Sequence, residues 1–138
     1  MAKENVRKLH AVLRELDTVM LTTIDSRYQL VSRPMAVRVD QLDGLLRFFA
    51  PTDSRVIANI IARASVNVSY ASASASVSVA GLANFTKDPH RIARYWHSGL
   101  DPWIPGGRAA AALIEVTIFE GRCWTSTESQ RIPAQLAM

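Results

Sequence analysis

The chain has 138 residues, 49% of them hydrophobic and 20% charged, with a formal net charge of +4. That length suits one domain with a real core, and no run approaches the roughly 18 uninterrupted apolar residues of a membrane span. The single cysteine, Cys123, excludes an internal disulfide framework and any multi-cysteine metal site, and His10, His90 and His97 fall in no metal-ligand spacing.

The basic residues are scattered, with no dense run. That suits a small phosphate-bearing ligand and argues against nucleic acid or a membrane as the partner. The charged N-terminus lacks the apolar core of a signal peptide, so a cytoplasmic protein is expected.

Residues 3–17 read as a helix, because Val6, Leu9, Leu13 and Leu16 recur at steps of three and four. The period then becomes two. Thr18–Asp25 is rich in β-branched residues and predicts a strand, followed by a turn at Ser26-Arg27-Tyr28. Leu30–Asp40 is a second strand, with Val31, Met35, Val37 and Val39 on one face. Pro34 donates no ladder hydrogen bond, so an edge position or a local break is expected there. Asp43-Gly44 marks a hairpin into a third strand, Leu45–Ala50.

Thr52 or Asp53 is expected to cap a helix that runs to about Arg63 and buries Val56, Ile57, Ile60 and Ile61. Val66, Val68 and Tyr70 alternate in a fourth strand, and 71–76 reads as a loop of Ala and Ser. Val77, Val79, Gly81, Ala83 and Phe85 mark a fifth, with Gly81 signalling a bulge or a close backbone approach. Asp88-Pro89 opens a helix to about His97, with Ile92, Tyr95 and Trp96 inward. Leu100–Arg108 is too rich in Pro and Gly for regular structure. Ala112–Phe119 and Arg122–Ser126 read as a last hairpin around Glu120-Gly121, and 127–138 as a tail that is loose or laid on a partner. Mostly hairpin-linked strands with few helices suggest a mainly β fold, an antiparallel barrel of six or seven strands.

Arg33 shares the apolar face of its strand. An inward charge is costly unless something anionic meets it. Two readings stay open: a buried carboxylate such as Glu115, or an anionic ligand. Ser54-Arg55 at a helix start is a ready anion site, since free backbone N–H groups and a positive dipole end converge there. With Arg33 it points to a phosphorylated cofactor lying across the sheet. Trp103, in a Pro/Gly loop, plugs the domain, covers a dimer seam or stacks on a flat ligand. No glycine-rich phosphate loop, nucleophile elbow or acid–base carboxylate pair is evident, so any chemistry rests largely on a cofactor. No catalytic residue can be named.

Ser32-Arg33-Pro34-Met35, Phe48-Phe49-Ala50 with Ser54-Arg55, Val77–Gly81 and Trp96 followed by Trp103-Ile104-Pro105-Gly106 come in a telling order. That order resembles the general stress protein branch of the pyridoxamine 5′-phosphate oxidase-like family, over roughly residues 5–126. The resemblance implies a Greek-key FMN-binding split β-barrel with flanking helices, one domain over 1–126. It also implies a homodimer with the cofactor at the subunit interface.

Residue by residue, it sets Arg33, Pro34 and Met35 along the flavin ring and ribityl chain. Phe49 and Ala50 would lie at the ring side, Ser54 and Arg55 at the phosphate, and Trp103 would close the site from the other subunit. Three positions depart from the pattern. Ala50 stands where Thr is common and Val56 where Lys is common. Arg108 and Ala109–Ala112 replace an acidic Asp-Pro segment. The implied function is a small FMN-dependent oxidoreductase acting on a small-molecule reductant or substrate. The alternative is a stress-related carrier or sensor that binds flavin, deazaflavin or haem without turnover.

Overall fold

The computed structural model describes residues 2–39, 43–127 and 130–137. Three helices, α1 (Ala2–Leu13), α2 (Arg55–Ala62) and α3 (Pro89–Tyr95), flank seven strands. These are β1 (Thr18–Ile24), β2 (Leu30–Ala36), β3 (Leu45–Pro51), β4 (Ser65–Ala71), β5 (Ala75–Thr86), β6 (Ala111–Thr127) and β7 (Gln130–Ala137). All pairings are antiparallel, in the order β2-β1-β4-β5-β6-β3, with β7 added on β6. The sheet curls into a split barrel whose free edges, β2 and β3, approach one another.

Period-2 alternation sends one side of each strand inward. Val19 and Leu21 of β1, Met35 of β2, Leu46, Phe48 and Ala50 of β3, Val68 of β4, Val79 of β5 and Ile114, Val116 and Ile118 of β6 form one buried core. Helix α2 lays Val56, Ile57 and Ile60 onto it, and α1 adds Leu9 and Leu13. A second core lies outside the barrel wall, where α3 and the loop after it cover β3 and β6. Ile92, Leu100 and Ile104 pack there on Phe49, Ala111 and Leu113.

Several elements differ from the sequence reading. Helix α1 stops at Leu13 rather than residue 17, and β2 ends at Ala36, with one more in-register bond beyond it, from Val37 N–H to the Asp17 carbonyl. The end of the strand expected to Asp40 lies partly outside the described residues. Ser54, not Thr52 or Asp53, holds the N-cap position of α2. Ile61, expected inside, is 67% exposed, because α2 presents too narrow a face to the barrel to bury it.

The final hairpin is in fact one continuous strand. Glu120 pairs with Ala80 and Gly121 with Val79, so Glu120-Gly121 runs on past β5 instead of turning back. The register slips there, Ala80 facing Glu120 and Gly81 facing Ile118, which leaves Phe119 as the extra residue of a bulge. A Cβ on Gly81 would lie 2.2 Å from the Thr117 carbonyl oxygen, which is the close approach its sequence position signalled. The tail expected to be loose contains β7, paired from Thr127↔Gln130 to Glu120↔Ala137. A ladder at a sheet edge is a backbone property and needs no side-chain periodicity.

Candidate functional site

Of the eight expected site residues, all but Trp103 lie on the two edge strands of the split or at the helix start that follows β3. Arg33 lies opposite Leu21, a core residue, and Met35 opposite Val19, so Arg33 does point to the barrel's inner side. Pro34 lies between them, exposed on the outer face and opposite Met20. Because β2 pairs only with β1, the missing N–H of Pro34 costs no second ladder.

Across the split, β3 carries Phe49 and Ala50 into the turn that starts α2. Adjacent strand residues alternate faces. Ala50 therefore enters the barrel core, and Phe49 the outer core, where its ring meets Trp96 edge-on at 5.1 Å between centroids. The two side chains cannot line one surface together. Any contact they share with a ligand runs through the β3 backbone and the rim of the Phe49 ring.

Ser54 has an extended N-cap backbone, φ −76° and ψ 157°, yet its hydroxyl makes no capping bond to the helix. Among the described residues three buried side-chain polar atoms lack any hydrogen-bond partner: His10 Nε2, Arg33 Nε and Ser54 Oγ. Buried donors without acceptors are rare and costly, about 1–3 kcal/mol each. Two of the three belong to the residues singled out as anion contacts. Both can donate, and both suit an anionic, phosphate-bearing group.

Arg55 is exposed at the first helical position. Its charge reaches the Asp25 turn. There the Gln29 backbone N–H, helped by the charges of Arg27 and Arg55, holds the Asp25 carboxyl below its ordinary range.

The competing reading of Arg33 is overturned. Glu115 is not its partner: Glu115 Oε2 accepts from Arg47 Nε at 3.1 Å and also from Arg91. Arg47 additionally holds Asp43 at 2.9 Å and lies 4.1 Å above the Tyr95 ring. Partial burial pushes the Asp43 carboxyl up, but the Arg47 hydrogen bond and charge outweigh it and hold the group below its ordinary range.

Trp103 is 40% exposed and belongs to neither core, so it does not plug this domain. Its neighbours Leu100 and Ile104 are buried against the Phe49 side, which leaves the indole carried on an anchored loop. Cys123 packs in the barrel core, where burial pushes its thiol up and away from reactivity.

One part of the region was invisible in the sequence. Beside Phe49 a cavity of about 470 Å³ opens, edged by Arg38, Arg47, Arg94, Tyr95, Trp96 and His97. These residues come from the segment after β2, from β3, and from the end of α3 and the two residues after it, which meet only in the folded chain. Trp96 and Tyr95 were read merely as an inward face. Among the described residues no group of three His, Cys, Asp or Glu side chains could hold a metal ion, and no helix is long and apolar enough to cross a membrane.

The family model described as pyridoxamine 5′-phosphate oxidase like matches residues 4–138. No curated protein matches the chain. Several solved structures share its fold. A protein of Clostridium acetobutylicum related to general stress protein 26 is 12% identical, with a TM-score of 0.79 over 97% of this chain and 96% of that one. The general stress FMN/FAD binding protein of Xanthomonas citri is 23% identical, with a TM-score of 0.76 over 99% of both chains. An F420 reductase is 21% identical, with a TM-score of 0.64 over 80% of this chain and 93% of its own.

Proposed function

The chain belongs to the pyridoxamine 5′-phosphate oxidase-like family, and from that premise we propose that it is an FMN-binding flavoprotein acting as a small oxidoreductase. The observation that carries this reading is the pair of buried, unpartnered donors, Arg33 Nε and Ser54 Oγ, on the two flanks of the split. The solved relative from Xanthomonas citri, whose name includes FMN/FAD binding, supports the choice of ligand.

When bound, FMN supplies hydride and electron transfer between a small reductant and an acceptor. The chain's own residues bind and orient it. Ser54 and Arg55, with the first N–H groups of α2, hold the phosphate. Arg33, with the β2 backbone at Pro34 and Met35, would run beside the ring and ribityl chain, and the β3 backbone at Phe49 and Ala50 would flank the ring. The partner subunit's Trp103 closes the site in a homodimer. Ala50 offers no hydroxyl, and Val56 offers no phosphate charge where relatives often have one. A charge-assisted hydrogen bond contributes roughly 1.5–3 kcal/mol, so affinity is expected to be lower than a lysine at 56 would give.

The test is the visible spectrum of the purified protein before and after FMN addition and removal of excess ligand. Flavin bands at about one per subunit support the reading; a colourless protein overturns it. Light scattering at micromolar concentration tests the two-subunit site, which a monomer would rule out.

A second reading, binding without turnover, rests on one observation. Among the described residues, those that line the cavity beside Phe49 are arginines, His97, aromatics and aliphatics, and none is a carboxylate that could serve as a general base. Deazaflavin is then a competing ligand, given the likeness to an F420 reductase. NADH and NADPH oxidation above the rate of free FMN separates enzyme from carrier.

A further inference from the structure

A second cleft, beyond the end of β3, has the character of a ligand site. It lies where the end of β5, the start of α3 and the start of β6 meet, with a volume of about 520 Å³. Small-molecule sites generally span about 300–1,000 Å³. Its floor is apolar: Ile92 is 3% exposed and Ala111 2%. Pro89 forms part of the wall, and Lys87, Arg108 and Thr52 bring the polar groups.

The charges there are unbalanced. Cations on the adjoining helix and strand have partners: Arg91 and Arg47 share Glu115. The side chains of Lys87 and Arg108 make no ion pair or hydrogen bond among the described residues. The nearest carboxylate in sequence, Asp88, is committed to capping α3, accepting from His90 N–H at 3.1 Å. Two like charges on one cleft repel each other, and an anion between them relieves the repulsion. The placement is enforced by the fold. The register Thr86↔Leu113 sets the residue after β5 beside the segment before β6, and Thr52 N–H donates to the Ala110 carbonyl at 3.0 Å.

We propose that this cleft binds a small amphipathic anion: an apolar or aromatic body seated on Ile92, Pro89 and Ala111, with its acid group between Lys87 and Arg108. The acid is a carboxylate or a phosphate, chemistry that both cations and the Thr52 hydroxyl accommodate. The site rests on residues other than those proposed for the flavin and stands whether or not that reading holds.

The test is a titration of the ¹⁵N-labelled full chain, with and without FMN, using benzoate, phenyl phosphate and neutral benzyl alcohol as probes. The expected result is saturable shifts at the amides of Lys87, Ile92, Arg108 and Ala111 with one of the acids, and at least tenfold weaker binding of benzyl alcohol. The relative response to benzoate and phenyl phosphate identifies the preferred acid group. Lys87→Gln with Arg108→Gln, and separately Lys87→Glu with Arg108→Glu, should each weaken the acid at least tenfold. Lys87 and Arg108 are both exposed, so either pair of substitutions retains the fold. Shifts that never saturate, that centre on Phe49 and Trp96, or that survive both double variants overturn the proposal.

Discussion

Arg47 and Glu115 stand directly opposite each other in the β3–β6 ladder, joined Nε to Oε2 at 3.1 Å, and Arg91 reaches the same oxygen from α3. One carboxylate thus ties the helix to the sheet. Both Arg47 and Glu115 side chains are mostly covered, at 15% and 17% exposure. Glu115→Ala removes the partner of Arg91 and one of the two carboxylates that hold Arg47, and should destabilise by about 2 kcal/mol in urea unfolding. Combined with Arg33→Ala, the effects should add to within about 0.5 kcal/mol, because the two residues share no partner. A larger coupling would return Glu115 to the Arg33 site.

Arg33→Ala should leave the protein folded and remove its colour. Arg33 Nε makes no hydrogen bond within the chain, so its loss removes little internal stabilisation. We expect a melting temperature within about 3 °C of the parent, against a flavin content near zero after desalting. Stoichiometric flavin in the variant would discard Arg33 as a contact.

Ser54→Ala inverts the usual cap result. Replacing a serine N-cap typically costs about 1 kcal/mol. Here the hydroxyl makes no cap bond and is buried without a partner. Without FMN the variant should be as stable as the parent or slightly more so. With FMN, affinity should fall at least tenfold, the effect of losing one hydrogen bond to a charged group. A destabilised variant with unchanged affinity would make Ser54 an ordinary cap.

Gly81→Ala probes the barrel wall. The new Cβ would fall 2.2 Å from the Thr117 carbonyl oxygen and 2.8 Å from Val116 Cγ1. Backbone must move to admit it, in the middle of the β5–β6 pairing. We expect a loss of about 3 kcal/mol, or roughly 10 °C in melting temperature. Circular dichroism melts measure it, and a change under 1 kcal/mol would mean the bulge at Phe119 absorbs the strain.

Acid sensitivity follows from Asp43. Its folded carboxyl titrates below the ordinary aspartate value of about 3.9. The ionised form is favoured in the native state, so this contribution is complete above that value. It is lost as pH falls through the ordinary value and on through the lower folded one. Asp43→Asn should lower stability at neutral pH, flatten part of the decline below about pH 4 and leave the slope on the neutral-to-basic side unchanged. Chemical unfolding at pH 3 and pH 7 checks this, and an identical pH profile in both proteins would refute it.

What the sequence determined by itself is local. Alternation placed Arg33 on the inward face of β2. The edge preference of Pro34, the Asp88-Pro89 cap and the tight approach at Gly81 each follow from the chemistry of one or a few residues. The Ser54-Arg55 helix start was legible too, although the cap is Ser54 rather than Thr52 or Asp53. Such features depend on φ, ψ and side-chain period over a few positions, and those are short-range.

The tertiary structure decided which edges meet. Glu115 was in equal reach of any inward cation as far as its sequence position tells, and barrel closure delivered it to Arg47 and Arg91. Glu120-Gly121 has the composition of a turn, but long-range pairing with β5 on one side and β7 on the other carried the strand straight through. Phe49 and Ala50, adjacent in sequence, were parted to opposite faces of one wall. Both clefts are likewise made by segments far apart in the chain, because twist and closure of the whole sheet, rather than any local preference, bring Arg38 to His97 and Lys87 to Arg108.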